Sequence, residues 1–211
     1  MEFNEENIRQ EQIKNAKLYS TRYEYAQENI LPGSSILEVG TLAGDYADYL
    51  LQNCNPSFIE LLDKFDQHDW EVPGYTKRFT GRNHYDFVVN RFKDDNRVKI
   101  THGLLHDVLP SIKTRYDYIY LDANHTEESV RFQLHCASQL LNPGGVIGIN
   151  DYLRFGIIRK EDYGTARYED IVYGTVPAVN NFLLDNRDWQ VKAYALNDRL
   201  FSDIYIHKPG K

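Results

Sequence analysis

The stretch "LDANHTEES" (121–129) holds an acid, an amide and an imidazole within four residues: Asp122, Asn124 and His125. The chemistry open to such a group is proton transfer. Histidine titrates near neutrality, and a neighbouring carboxylate can orient the ring and stabilise its charged form. The same residues also suit a structural task. Asn124 or Thr126 can cap a helix starting at "EES", and Thr126 to Ser129 partly imitates a capping box. Either way the stretch is a junction. The strand-like run "YDYIY" precedes it and helical spacing follows.

The elements that must position this junction follow from apolar periodicity. "ILEVG" (36–40), "SFIELLD" (57–63), "RVKITHG" (97–103), "YDYIYLD" (116–122) and "VIGIND" (146–151) read as five strands. "DYADYLLQNC", "HYDFVVNRFKDD", a short "HDVLPSI" and "TEESVRFQLHCASQLL" read as the helices between them. In the last of these Val130, Leu134, Ala137 and Leu141 form one stripe. "VPAVNNFLLDN" adds a helix. "WQVKAYAL" and "FSDIYIHK", joined by "NDR", read as an antiparallel hairpin. Residues 3–30, with Ile8, Ile13, Leu18, Tyr23 and Ile30 scattered among polar positions, read as one or two helices.

This order predicts an α/β fold: a Rossmann-like open sheet, mostly parallel, with an antiparallel C-terminal hairpin and helices on both faces. The division is an N-terminal helical segment, 1–30, and a main domain, 31–211. The unpatterned stretches 64–96 and 152–175 are expected to be surface loops that shape a pocket.

Bulk properties exclude several classes. With 211 residues, 42% hydrophobic and 26% charged, the chain suits one domain with a small appendage. Lys plus Arg is 24 against 31 Asp plus Glu, a net charge of −7, which disfavours broad nucleic-acid binding. No apolar run approaches the roughly 20 residues that span a bilayer. The polar start "MEFNEENIRQ" lacks a signal-peptide pattern, so a cytoplasmic location is expected. Cys54 and Cys136 lie far apart without metal-type spacing and are expected to be buried free thiols. Homo-oligomerisation is left open.

In open α/β sheets, ligands bind beyond the carboxyl ends of the strands. "EVGTLAG" (38–44) leaves the first of the five strands, and Gly40 and Gly44 allow a tight turn before a helix near Asp45. The dinucleotide pattern G-x-G-x-x-G is absent, since Thr41, Leu42 and Ala43 fill the gap. Asp63, at the end of the second strand, is placed to accept both hydroxyls of a ribose, or to cap a helix. "HGLLHDVLP" (102–110) follows the third strand, where Gly103 can flank an adenine ring.

Together, the glycine loop, the acid after the second strand, the third-strand loop and the final hairpin resemble the class I S-adenosylmethionine-dependent methyltransferases. The resemblance spans roughly residues 30–208. It implies that Glu38, Gly40, Thr41, Gly44 and Asp45 border the methionine part of the cofactor, that Asp63 holds its ribose, and that Gly103 and Leu104 lie near its adenine. Leu104 stands where that family often has an acid.

In such a sheet the first, fourth and fifth of these strands are neighbours. "LDANH" and "IND" then lie side by side, bringing Asp122 to Asn150 and Asp151. Two carboxylates and an amide oxygen suit Mg2+ or Ca2+. The layout is similar to that of metal-dependent small-molecule O-methyltransferases of the catechol and the macrolide or aminocoumarin sugar types. The catechol type has an Asp at the first position, an Asp-Asn pair at the second and a lysine base three residues after the first Asp. Here Asn150-Asp151 reverses the pair and His125 stands at the base position. "GTVPAVNNFL" (174–183) resembles a helix start of the sugar enzymes, whose Asp-Gly-Asp and Asp-Asp-Tyr appear as "DAN" and "NDY". Amides therefore replace acids at 124 and 150, which weakens a cation site.

The implied activity is methyl transfer from S-adenosylmethionine to a hydroxyl of a small molecule, sugar- or phenol-like, with Asp122, Asn150 and Asp151 as Mg2+ ligands and Asp122 and His125 as catalytic residues. Arg154, Arg159, Tyr163, Arg167 and Tyr168 are expected to cover the acceptor. The alternatives are a metal-independent N-methyltransferase acting on protein or nucleic acid, a nicotinamide-dependent oxidoreductase, and a cofactor-binding module without activity. "DANH" lacks the Asn/Asp-Pro-Pro-aromatic motif of amino-methylating enzymes, and the missing dinucleotide pattern argues against the oxidoreductase.

Overall fold

The computed structural model describes residues 8–66, 79, 83–152, 157–158, 171–197 and 202–210. Its main feature is an eight-stranded sheet. The strands are β1 (Lys17–Tyr19), β2 (Ser35–Val39), β3 (Phe58–Asp63), β4 (Val98–His102), β5 (Tyr116–Leu121), β6 (Leu141–Ile149), β9 (Gln190–Ala195) and β10 (Asp203–His207). Their spatial order is β1-β9-β10-β6-β5-β2-β3-β4. β7 (Ile157–Ile158) and β8 (Ile171–Val172) form a separate antiparallel pair.

The five predicted strands are β2 to β6 and run parallel. β10 is antiparallel to both β6 and β9, as the hairpin reading required. Parallel strands need crossovers, and here these carry α3 (Asp45–Asn53), α4 (His84–Phe92), α5 (Leu105–Val108) and α6 (Glu127–Leu140).

Side chains alternate across each strand, so one run feeds two cores. Leu37, Val39, Ile119, Leu121, Ile147 and Ile149 face α6 and α7 (Thr175–Asp185). Ile36, Ile59, Leu61, Tyr118 and Tyr120 face α2 (Arg22–Asn29), α3 and α4. Both faces are covered, which explains the nearly continuous apolar character of the central strands. Cys54 and Cys136 are buried free thiols, one in each core.

The N-terminal segment departs from the expectation of helices alone. α1 (Gln10–Ile13) is short, and β1 then pairs in parallel with β9, Lys17 opposite Ala193 and Tyr19 opposite Ala195. Thr21 caps α2 by accepting from the Glu24 amide. Strand pairing with β9 thus sets where α2 begins, and so where Arg22 points. No helix among the described residues is long and apolar enough to cross a membrane.

Candidate functional site

The ends of β2, β3 and β4 hold the expected cofactor residues together. Gly40 and Gly44 both have left-handed backbones, φ +89° and +77°, which glycine adopts at little cost. Asp63 organises the loop between them. Its Oδ2 accepts from the Thr41 and Leu42 amides at 2.9 and 3.0 Å, and its Oδ1 accepts from Phe65 N–H at 2.9 Å. Thr41 Oγ1 donates to Glu38 Oε2 at 2.8 Å. Glu38 is buried, and desolvation foremost pushes its pKa up to about 8. Gly103 N–H donates to the Asp63 carbonyl, which brings the third loop beside the second.

Not every expected cofactor residue is inward-facing. Asp45 makes a 2.7 Å ion pair with Arg91 from α4, and Leu104 is exposed. An Asp63 carboxylate with three N–H bonds keeps acceptor capacity for one hydroxyl donor. The residues at these strand ends therefore fit a nucleoside cofactor. The Thr41 and Leu42 amides are not free for a pyrophosphate, because Asp63 already takes them.

The second half of the site lies at the ends of β5 and β6. In the β5–α6 turn, Asn124 Oδ1 accepts from Thr126 N–H at 2.9 Å, and Thr126 caps α6. Buried Gln133 reaches back from α6 to donate to the Asn124 carbonyl at 2.9 Å. Asn124 and Thr126 thus perform the structural task, and they fix the path that turns His125 inward. Gly174 N–H donates to the His125 carbonyl at 2.8 Å, and the Tyr173 ring stacks on the imidazole at 5.1 Å.

His125 Nε2 stands 3.6 Å from Asp122 Oδ1 and 3.7 Å from Asp151 Oδ2. Burial alone would lower the imidazole pKa, but Asp122, Asp151 and Asp203 outweigh it and the net shift is upward. Asp151 is pushed up to about 6, chiefly by desolvation, against the opposing charge of His125. It also has a left-handed backbone, φ +55°, at the abrupt end of β6.

Two participants carried no signal in the sequence. Asp203, at the start of β10, is fully buried and accepts from Tyr120 Oη at 2.9 Å and from Asn150 Nδ2 at 3.0 Å. Arg22, at the start of α2, places Nη1 3.6 Å from Asp122 Oδ2 and Nε 3.5 Å from Asp203 Oδ2. Its guanidinium also lies over the Tyr46 and Tyr120 rings at 5.8 and 5.5 Å. Only the meeting of α2, β5 and β10 in space brings these groups together.

The expected metal set, Asp122, Asn150 and Asp151, does not assemble as one. The Asn150 amide is committed to Asp203, while Asp122 and Asp151 share His125. Arg22 faces the second Asp122 oxygen. Among the described residues no group of three or more His, Cys, Asp or Glu is placed to hold a metal ion. Cationic groups already oppose the carboxylates, so the residues present do not fit a divalent ion. Arg154, Arg159, Tyr163, Arg167 and Tyr168, expected to cover the acceptor, lie outside the described residues.

Comparison with known proteins bears on the family and the fold. Residues 37–152 match a family described as a methyltransferase domain. No curated protein matches the sequence. Among solved structures, the O-methyltransferase of Bacillus cereus in complex with SAH is 17% identical, with a TM-score of 0.59 over 89% of this chain and 80% of that one. The O-methyltransferase TomG of Streptomyces achromogenes, with SAM, is 16% identical, with a TM-score of 0.57 over 89% and 78%. The ribosomal protein L11 methylase of Lactobacillus delbrueckii is 14% identical, with a TM-score of 0.57 over 89% and 76%. At such identities the likeness is one of fold, and it is shared by enzymes with very different acceptors. The family match, by contrast, covers more than half of the sequence and includes the carboxyl ends of β2 to β6. The chain belongs to the methyltransferase-domain family and is an S-adenosylmethionine-dependent methyltransferase of the class I fold.

Proposed function

We propose that the protein methylates a hydroxyl of a small molecule, sugar- or phenol-like, with His125 as the base that takes the hydroxyl proton. The observation that carries this reading is the position of His125 Nε2 between Asp122 and Asp151, 3.6 and 3.7 Å away, beside the glycine loop. The O-methyltransferases from Bacillus cereus and Streptomyces achromogenes share the fold and support the choice of oxygen as acceptor.

S-adenosylmethionine, when bound, supplies an electrophilic methyl group. Glu38, Gly40, Thr41, Gly44 and Asp63 would hold it, with Gly103 and Leu104 toward its adenine. The chain's own task is to orient the acceptor oxygen and remove its proton. Neutral His125 accepts that proton at Nε2 as the oxygen–methyl bond forms. Asp122 and Asp151 stabilise the resulting imidazolium, since opposite charges that close favour the protonated ring. Tyr173, stacked on the ring, and the Gly174 bond to the His125 carbonyl hold the imidazole in that pose. No step requires a metal.

Titration calorimetry tests the reading. S-adenosylmethionine or S-adenosylhomocysteine should bind and NADH should not. A screen of sugar and phenol acceptors, read by S-adenosylhomocysteine release, should then give turnover that His125→Ala and Asp122→Ala abolish. Binding of neither nucleotide, or full activity in either variant, would sink the proposal.

A further inference from the structure

The carboxylates at the ends of β5, β6 and β10 create a negative pocket: Asp122, Asp151 and Asp203, with Asp203 fully buried and Asp151 nearly so. Such a group needs a counter-charge, and one is built in. Arg22 reaches Asp122 and Asp203 at 3.6 and 3.5 Å. Both distances exceed the 2.7–2.9 Å of a closed guanidinium–carboxylate bond, so the fork is not saturated by these partners. Its side chain is 20% exposed, so the guanidinium is not sealed off from solvent.

Its placement is fixed from several directions. Asn197 Oδ1 accepts from the Arg22 backbone N–H at 2.7 Å, Thr21 caps the helix that carries it, and the Tyr46 and Tyr120 rings flank the guanidinium. A surface ion pair has no comparable framing. An acceptor hydroxyl losing its proton beside three carboxylates would meet repulsion. A guanidinium with free N–H donors removes that repulsion and offers the oxygen a fixed hydrogen-bond partner.

We infer that Arg22 is the resident cation of this site, takes the electrostatic place expected for a divalent ion, and positions the acceptor oxygen. The inference rests on the proposed reading of Asp122 and His125. It makes the enzyme metal-independent by construction, with the charge supplied by the N-terminal segment.

The test uses Mg2+ alone, titrated calorimetrically into the full chain and into Arg22→Lys and Arg22→Met. Wild type and Arg22→Lys should take up no Mg2+ at millimolar concentration. Arg22→Met should bind it, and adding Asp122→Asn to that variant should remove the binding. Arg22→Gln, which is shorter but keeps a hydrogen-bonding end, replaces Arg22→Met if the latter does not fold. Mg2+ uptake by the wild type that Asp122→Asn abolishes overturns the inference, as does a charge-free variant that binds none. On an acceptor from the screen, Arg22→Met should lose about 100-fold in turnover, with partial rescue by free guanidinium ion. Unchanged turnover, or a loss that neither guanidinium nor Arg22→Lys restores, makes the residue structural and overturns the positioning role. S-adenosylhomocysteine titration of the wild type reports on the methyltransferase reading separately, because it involves neither Mg2+ nor the acceptor.

Discussion

Gly40 leaves no room for a side chain against Asp122, because an added Cβ would fall on the backbone carbonyl of that residue. The loop after β2 and the turn after β5 are thus packed backbone to backbone. Gly40→Ala meets both this clash and a left-handed φ of +89°. It should lower stability by about 2 kcal/mol or more, read by urea unfolding, and weaken S-adenosylhomocysteine binding at least tenfold. A variant with wild-type stability and affinity would show that the two loops can separate freely.

His125 predicts a pH profile. Its pKa is raised in the folded protein, so the ring stays protonated, and useless as a base, to a higher pH than a free histidine. Turnover should rise with pH through a midpoint above 6.5, the usual histidine value. Asp122→Asn removes a raising partner and should move the midpoint down. The same shift stabilises the fold at pH below the unfolded value and is lost as pH rises through the folded one. An identical midpoint in the variant would detach His125 from the rate.

Asp151 predicts stability in the opposite sense to a salt-bridged acid. Its folded pKa, about 6, lies above that of a free aspartate. The folded state therefore binds the proton more tightly, and this favours the fold below the unfolded pKa and fades as pH rises toward 6. Asn tolerates the left-handed backbone at this position. Asp151→Asn should accordingly raise stability by about 1 kcal/mol at pH 7.5 and by less at pH 4, measured by thermal unfolding. A loss of stability at pH 7.5 would mean that the pairing with His125 outweighs desolvation.

Asp203 holds three buried donors, Tyr120, Tyr205 and Asn150, and faces Arg22. Asp203→Ala strands all four. The expected cost is about 3–5 kcal/mol in urea unfolding, the usual consequence of leaving buried polar partners unpaired. A cost under about 1 kcal/mol would imply that water replaces the carboxylate.

The central fold was legible because β2, β3, β5 and β6 are largely buried runs bounded by turn residues, and β9 alternates cleanly before β10. β1 was not. It is three residues long, exposed at Lys17 and Leu18, and is a strand only because β9 offers an edge. Asp122 and His125 were legible from their spacing at one strand end. Arg22 and Asp203 were not, since nothing local distinguishes them from solvated charges. The metal expectation failed for the same reason: counting carboxylates along the sequence could not reveal the cation already facing them.

The pairing of β1 with β9 has a consequence for assembly. Residues 17–22 are tied to residues 190–207 by the β1–β9 ladder, the Asn197 bond to Arg22 and the ion pair to Asp203. Contacts at this sequence separation form late and slowly. Completion of the reacting centre therefore depends on the docking of β9 and β10, which supply the edge that β1 pairs with and the buried Asp203 carboxylate.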